Sequence, residues 1–282
     1  MECDPSGAGW NLLKACNANE VCSELPAPAC MTKPCTPNQA GCAGNAPATC
    51  NADGTAFGSP GTDCGAQICM AGACLGRTFF EPFDSLTAAP WQTQAQYSTE
   101  EIVSGGTLRF LEMKPGGDID LYFDSLYYTF PTAVKPGTVS LWIEVAGTFG
   151  SPWVVLSDGA YKVPRDTQVS PAQNPYQVSL QVNAQELHVW TAGNDGVLVN
   201  SSTQNFLTSI WLYVRLVFDW TGRTVTPYWS QRGRDQVETP PIAGAPLPLA
   251  PEMTSIARID LFDQLMASMG GWSNFDSIEF FD

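Results

Sequence analysis

The chain has 282 residues, of which 44% are hydrophobic and only 15% are charged, and its formal net charge is −15. This length predicts one large or two unequal domains with enough apolar residues for a buried core. An acidic chain without a basic stripe repels phosphate backbones and anionic membranes, so nucleic acid is excluded as an expected partner. No apolar run of about 18 residues is present, so we expect no membrane insertion.

All ten cysteines lie between Cys3 and Cys74, and none follows Cys74. Cysteines this dense persist as disulfides in oxidising compartments, so we expect a secreted or outer-surface protein with every cysteine oxidised. The alternative, a cytosolic zinc protein, is disfavoured by the spacings. We predict a disulfide-rich module with little regular structure at 1–76 and a cysteine-free domain at 77–282. The cysteines are Cys3, Cys16, Cys22, Cys30, Cys35, Cys42, Cys50, Cys64, Cys69 and Cys74.

The module contains an internal repeat. CDPSGAGW from Cys3 matches CNADGTAF from Cys50, and the next three cysteines of each copy follow at similar spacings. This defines a partial repeat with four cysteines at 3–30 and a full repeat with six at 35–74. The partial copy has no counterparts of Cys35 and Cys42, so we expect the natural chain to continue upstream of Met1. Several pairings remain open within each copy.

The strings CTPNQAGCAGNAPATCNADGTAF and CGAQICMAGAC resemble the short cysteine-rich repeats that recur in secreted and surface proteins of myxobacteria. This resemblance implies a bacterial spacer or adhesion module near a cell surface. A unit this small cannot bury much core, so cross-links substitute for one. We favour a stalk without a ligand of its own.

Beyond the module, short alternating segments rich in β-branched and aromatic residues are separated by Gly, Pro, Asn and Asp. This pattern predicts an all-β domain, a two-sheet antiparallel β-sandwich or jelly roll. In the longest candidate strand, 211–220, Val214, Leu216 and Phe218 should point into the core. The Pro-rich segment 240–252 is predicted to be a surface loop, and the only helical turn is expected near 263–268. The other strand candidates are 107–110, 119–123, 138–145, 153–157, 177–182, 186–190, 225–229, 257–262 and 277–281.

Three segments resemble laminin-G and concanavalin-like sandwich domains: FFEPFDSLTAAPWQ, WLYVRLVFDWTGRTVTPYWSQ and FDSIEFFD. In that group an aromatic-led strand runs into an Asp-containing hairpin, and the first and last strands lie side by side. The resemblance implies glycan binding, protein adhesion or glycan cleavage. A fold by itself does not select among these functions.

We predict no catalytic residue. Glycosidases resembling laminarinases place two or three carboxylates closely on one strand, and the nearest spacing here is Asp118, Asp120 and Asp124 in GGDIDLYFD. Calcium binding or plain surface charge is the favoured interpretation of these aspartates. His188 is the only histidine and no G-x-S-x-G elbow exists, which argues against a serine or cysteine hydrolase. We expect His188 on a surface strand face, between Glu186 and Trp190.

The outward strand faces carry the predicted ligand-binding residues. Side chains that alternate with core positions point away from the core, and sugar rings stack on exposed aromatics. The sequence therefore predicts a polysaccharide-binding patch on one sheet face. The alternative is that the loops 151–174 or 240–252 cover these aromatics and form a second small core. The predicted ligand-binding residues are Trp142, Glu144, His188, Trp190, Tyr213 and Arg215.

One structural calcium ion is expected where the two ends of the sandwich domain meet, held by Glu81, Asp84, Asp276 and Asp282. We interpret the chain as a secreted or cell-surface carbohydrate-binding or adhesion protein. Its expected partner is a polysaccharide or glycoconjugate. Two alternatives remain. One is a concanavalin-like polysaccharide-degrading enzyme, hydrolase or lyase, and the other is a self-assembling structural subunit of an extracellular assembly.

Overall fold

The structure is a computed structural model of the whole chain. It describes every residue except 1, 4–9, 12–19, 24–28, 33–34, 66, 71, 84–90, 94–97, 104–106, 113–121, 148–150, 160–175, 183–185, 192–193, 201–209, 231–241 and 266–270. The described part contains strands and turns. It has no helix that is long and apolar enough to span a bilayer. The chain divides into two units, Met1–Arg77 and Thr78–Asp282.

The first unit consists of short two-stranded antiparallel hairpins that pair in sequence order, β1 with β2, β3 with β4, β5 with β6 and β7 with β8. Hairpins this short need covalent support. The strands are β1 (Glu2–Cys3), β2 (Trp10–Asn11), β3 (Glu20–Ser23), β4 (Ala29–Thr32), β5 (Ala40–Ala43), β6 (Ala46–Thr49), β7 (Ile68–Met70) and β8 (Ala73–Leu75).

Disulfides supply that support in the full repeat. Cys42–Cys69 joins β5 to β7. Cys35–Cys50 joins the segment before β5 to the residue after β6, and Cys64–Cys74 joins the segment before β7 to β8. Asn45 adds a polar link, because its Oδ1 accepts a hydrogen bond from the Cys69 backbone N at 2.8 Å. The side chains of the four cysteines before Cys35 lie outside the described residues.

The repeat found in the sequence is also present in the backbone pairing. Cys3 lies opposite Trp10 in the partial copy, as Cys50 lies opposite Phe57 in the full copy. Cys22 lies opposite Cys30, and correspondingly Cys69 lies opposite Cys74. The two copies therefore share their strand pairing as well as their cysteine order.

The second unit is a sandwich of two antiparallel sheets. One has seven strands in the order β10-β13-β23-β15-β16-β17-β18. The other has nine, in the order β11-β12-β24-β14-β19-β20-β21, with β9 on β24 and β22 on β20. The strands are β9 (Arg77–Glu81), β10 (Trp91–Thr93), β11 (Ser98–Val103), β12 (Thr107–Glu112), β13 (Tyr122–Val134), β14 (Thr138–Gly147), β15 (Pro152–Ser157), β16 (Gln177–Val182), β17 (Glu186–Thr191), β18 (Asn194–Asn200), β19 (Trp211–Asp219), β20 (Thr224–Ser230), β21 (Ile242–Ala243), β22 (Leu247–Pro248), β23 (Ile256–Leu265) and β24 (Gly271–Phe281).

The core fills the space between the inward faces of the two sheets. Alternate residues of β14 and β19 meet in register, for example Leu141 opposite Val214 and Val139 opposite Leu216. The inward positions predicted for β19 are confirmed, since Val214, Leu216 and Phe218 are all buried. Side chains of this kind each stabilise the fold by roughly 1.5–3 kcal/mol when fully buried. The opposite sheet contributes Val154, Leu156, Val178, Leu180, Val182, Leu187 and Val189.

A β-bulge in β24 determines which residues face outward. Ser277 has a φ of 47°, and the register with β14 shifts between Ser140 and Trp142. The extra residue lets Phe275 and Ile278 both point into the core although they are three positions apart. In consequence, Asp276 and Glu279 both occupy outward positions, opposite Trp142 and Ser140.

Strand residues occur within two segments that were predicted to be a helical turn and a loop. The predicted helical turn near 263–268 is wrong at its start, because β23 continues through Leu265. The Pro-rich segment 240–252 contains β21 and β22, and Leu247 and Leu249 are buried in the core. Prolines are tolerated there because the segment pairs along the edge of the sheet at β20. Glycine at position 196 makes room for Leu247, whose Cδ1 would lie 2.7 Å from a Cβ at that position.

Candidate functional site

The predicted ligand-binding residues lie on two sheets rather than one. Trp142 and Tyr213 belong to β14 and β19 of the nine-stranded sheet, whereas His188 and Trp190 belong to β17 of the seven-stranded sheet. The inward faces of the sheets pack against each other, so their outward faces point to opposite sides. A single patch containing all six residues is therefore wrong. Alternation identifies the face of each strand but not the sheet to which the strand belongs.

The outward side of the nine-stranded sheet brings together aromatic and polar side chains from four adjacent strands. We call this surface the β14–β19 face. Three cross-strand rows run in register from β24 through β14 to β19, and two of them continue to β20. The rows are Asn274–Glu144–Trp211, Asp276–Trp142–Tyr213–Ser230 and Glu279–Ser140–Arg215–Tyr228.

An aromatic pair lies at the centre of this face. Trp142 is directly opposite Tyr213, and their ring centroids are 5.2 Å apart with planes inclined by 56°. Such pairs contribute about 0.5–1.5 kcal/mol beyond burial of their area. Both side chains are half-buried, so each ring keeps part of its surface exposed. The pair thus forms a partly exposed aromatic platform on a rigid pair of central strands.

Carboxylates lie beside the platform. Glu144 Oε2 accepts a hydrogen bond from Asn274 Nδ2 at 2.6 Å, which fixes the orientation of the carboxylate. Asp276, opposite Trp142, is buried, and its Oδ1 accepts a hydrogen bond from Ser277 Oγ at 2.9 Å. Glu144 and Asp276 are diagonal neighbours on adjacent strands, a relationship that places Cβ atoms roughly 7–8 Å apart or somewhat less.

Arg215 lies in the third row and is only 6% exposed. Its guanidinium carbon lies 4.6 Å from the centroid of the Tyr228 ring, a cation–π contact. The buried Nε has no hydrogen-bond partner, and none of the described residues forms an ion pair with this side chain. Arg215 is therefore a buried cation whose hydrogen-bonding capacity is not used by the described part of the chain.

His188 lies on the outward side of the other sheet, but it is buried rather than on the surface. Its Nδ1 lies 2.8 Å from Asp195 Oδ1 and its Nε2 lies 3.1 Å from Glu186 Oε2. The Trp190 ring stacks on the imidazole with centroids 5.2 Å apart and planes inclined by 4°. Packing on Trp190 and the two carboxylate contacts account for the burial.

Several other outward residues of this second face are also buried. Trp153, Val155 and Ser157 on β15 are buried. Arg258 pairs with the fully buried Asp260 through Nε at 2.9 and 2.8 Å, and its guanidinium lies over the Tyr127 ring. Burial raises the pKa of Asp260, although the Arg258 guanidinium beside it acts in the opposite direction. This face offers a ligand much less surface than the β14–β19 face.

The structure provides no metal site for the predicted calcium ion within the described residues, which contain no group of three or more His, Cys, Asp or Glu side chains suitably placed. Glu81 has other partners, since its Oε1 accepts from the Phe83 backbone N at 2.7 Å and its Oε2 accepts from Trp91 Nε1 at 2.6 Å. Asp84 lies outside the described residues, as do Asp118 and Asp120, so the calcium ion stays a prediction.

The predicted ligand-binding residues did not include several members of the β14–β19 face, among them Tyr228, Asn274 and Glu279. Tyr228 had a detectable signal, because it alternates with Val225 and Pro227 in a predicted strand. Glu279 and Asn274 had no such signal. They are five residues apart, so strict alternation would place them on opposite faces, and only the bulge at Ser277 brings both to the same face.

A scan against protein-family models finds no match, and no curated protein matches by sequence. Solved structures do match. A non-specific endo-β-1,3(4)-glucanase, crystallised with an oligosaccharide at its active site, is 9% identical with a TM-score of 0.50, and the match covers 74% of this chain and 95% of that one. The similarity shows a shared concanavalin-like jelly-roll fold. At this identity it shows the fold alone.

Other solved structures match with TM-scores below 0.5. The lectin UEA-II, in complex with galactose, is 9% identical with a TM-score of 0.47, and the match covers 73% of this chain and 99% of the lectin. A Bacillus licheniformis β-glucanase is 11% identical with a TM-score of 0.46, covering 73% of this chain and 99% of the enzyme.

Proposed function

We propose that this chain is an extracellular carbohydrate-binding protein in which the β14–β19 face binds a polysaccharide. The observation that carries the proposal is the Trp142–Tyr213 pair, held in register on an outward sheet face and partly exposed. Glu144, oriented by Asn274, supplies a fixed acceptor for sugar hydroxyls beside the rings. Aromatic platforms with a few oriented polar groups are typical of ligand sites.

The size of each contact favours a polymer as the ligand. One sugar stacked on one aromatic ring contributes about 1 kcal/mol, by analogy with aromatic pairs. A useful affinity, in the micromolar range, needs about 8 kcal/mol. Several adjacent sugars must therefore contact the face at once, which a polysaccharide or glycoconjugate does and a monosaccharide does not.

The disulfide-rich unit supports an extracellular location. Its three described disulfides interlock two hairpins, and bonds of this kind persist in oxidising compartments. We propose that this unit is a stalk at the surface of a bacterial cell, in keeping with its resemblance to myxobacterial surface repeats. Carbohydrate binding on such a stalk gives an adhesion role.

A polysaccharide-degrading enzyme is the second candidate, and Glu144 with Asp276 is the observation that favours it. Two carboxylates on one face are the minimum that glycoside hydrolysis requires. Asp276, however, is buried and hydrogen-bonded to Ser277. Binding with product release would support the enzyme, and binding without it would support the carbohydrate-binding protein.

Affinity electrophoresis of the full chain in gels with neutral or acidic polysaccharides tests the proposal, together with a reducing-end assay for product. We expect at least one polymer to retard the protein, and Tyr213→Ala to weaken the retardation clearly. Tyr176→Ala is the matched control, because it removes an exposed tyrosine that precedes a strand of the other sheet. Equal retardation of both variants would contradict binding by the β14–β19 face. Concentration-dependent assembly without retardation would favour the structural-subunit alternative.

A further inference from the structure

We infer that the polysaccharide carries an oxyanion, either a uronate carboxylate or a sulfate ester, and that Arg215 is the residue that binds it. The inference rests on the proposed function and adds the charge of the ligand to it. It starts from the unused hydrogen-bonding capacity of a buried arginine on the β14–β19 face.

Two other described arginines of the sandwich show how acceptors within the chain can satisfy this side chain. Arg258 is paired with Asp260, and Arg223 donates to the backbone O of Met253 at 2.8 Å and to that of Ala250. Arg215 has no such acceptor among the described residues. An arginine stays protonated at any physiological pH, and a buried cation without an acceptor is costly to the fold. An acceptor that comes from outside the chain resolves this cost.

The surroundings of Arg215 suit an oxyanion that belongs to a sugar. The Tyr228 ring lies against one face of the guanidinium, and this contact does not use the N–H groups, which lie in the guanidinium plane. A carboxylate or sulfate matches this fork of donors, whereas a neutral hydroxyl uses only one of them. Tyr213 is two residues away on the same side of β19, about 7 Å along the strand. A sugar stacked there is next to a sugar whose oxyanion reaches Arg215.

The acidity of the protein limits how densely charged the ligand is. Glu279 and Glu144 occupy the same face as Arg215, and the whole chain has a net charge of −15. Densely charged polyanions are repelled by such a surface. One buried arginine among carboxylates therefore selects a sparsely charged glycan, in which single acidic sugars are separated by neutral ones.

The experiment measures retention of the full chain on gellan, a polymer with widely spaced glucuronates, and on its carboxyl-reduced, neutral form. A dextran with sparse sulfate esters and the parent dextran distinguish sulfate from carboxylate. All are compared at physiological salt, where charges more than about 8 Å apart are largely screened. Arg215→Met is the test variant, and Lys135→Met is the control that removes an exposed positive charge elsewhere.

We expect the acidic form of one pair to be bound at least tenfold more tightly than its neutral form. Arg215→Met should abolish that preference, while Lys135→Met keeps it. Arg215→Met should also melt no lower than the wild type, because it removes a buried charge without an acceptor. A strongly lowered melting temperature would contradict the inference, since Arg215 would then be a structural residue.

Retention on neutral polymers alone, with loss in Tyr213→Ala, would overturn the inference and leave the proposed function standing. Retention on no polymer at all would overturn both. An acidic preference that survives in Arg215→Met would show that another cation binds the oxyanion.

Discussion

Gly72 approaches Ala40 so closely that a Cβ on Gly72 would lie 2.6 Å from the Cβ of Ala40. Gly72 also has a φ of +85°, which side chains rarely adopt. The turn between β7 and β8 can therefore lie against β5 only if this residue is glycine. The contact joins the two hairpins that the Cys42–Cys69 disulfide links covalently.

Gly72→Ala should destabilise the disulfide-rich unit more than Gly44→Ala does. Gly44 has a comparable φ of +63° but nothing within 4 Å of its Cβ position. Gly44→Ala therefore measures only the cost of the left-handed backbone conformation, about 1–2 kcal/mol, without a steric clash. We expect Gly72→Ala to add the steric cost and to lower the yield of native disulfides in oxidative refolding. Peptide mapping measures that yield, and equal yields for the two variants would contradict the close contact.

The pairing in the full repeat predicts the pairing in the partial repeat. Cys64–Cys74 corresponds to Cys16–Cys30, while the counterparts of Cys35 and Cys42 are absent. We therefore expect Cys16–Cys30 and, in a protein of these 282 residues alone, Cys3–Cys22. Mass spectrometry of unreduced peptides should find these bonds and no free thiol. A Cys22–Cys30 bond, two or more alkylated thiols or bound zinc would contradict this prediction.

Leu216→Ala should lower the free energy of unfolding by about 2–5 kcal/mol, the usual loss when a leucine is removed from a packed core. Leu216 is 2% exposed and lies between Val139 and Pro227 in register. Val217→Ala, on the outward side of the same strand, is the control and should cost much less. Denaturant unfolding measures both, and similar losses would mean that the faces of β19 are assigned the wrong way round.

Tyr128 should make the stability of the sandwich depend on pH in the alkaline range. Burial raises its pKa above the ordinary value of 10.0, and the charge of Glu81 raises it further. Folding then favours the neutral phenol, so the stability from this group is complete below pH 10.0 and is lost as pH rises through the raised pKa. Tyr128→Phe should lose less stability than the wild type above pH 10. Thermal unfolding at pH 8 and pH 10.5, with Tyr176→Phe as control, checks this, and parallel losses in all three proteins would contradict it.

The sequence was sufficient to predict the sandwich and its central strands, because every second residue from Val139 to Val145 in β14 and from Leu212 to Phe218 in β19 is aliphatic or Phe and buried. It did not predict β11 and β18. These strands lie at the edges of their sheets, where each has only one neighbouring strand and alternation of apolar and polar residues is less strongly required. The Pro-rich strand β22 was missed for a different reason. Leu247 packs against Gly196, which is far away in sequence, and a local pattern does not contain such a contact.

The candidate site was only partly predictable for a related reason. The outward positions of Trp142 and Tyr213 followed from local alternation. That His188 and Trp190 belong to the other sheet follows from the pairing of β17 with β16, and of β16 with β15, which local patterns do not contain. Asp276 and Glu279 reach the face only because of the bulge at Ser277.

The binding of a retained polysaccharide by Trp142→Ala and by Trp190→Ala, measured together with their melting temperatures, tests the central claim most directly. Trp142→Ala should weaken binding at least fivefold, about 1 kcal/mol for one lost sugar contact, with little change in melting temperature. Trp190→Ala should keep the binding but melt lower, because it removes the ring stacked on buried His188. Loss of binding in Trp190→Ala together with unchanged binding in Trp142→Ala would contradict a carbohydrate site on the β14–β19 face.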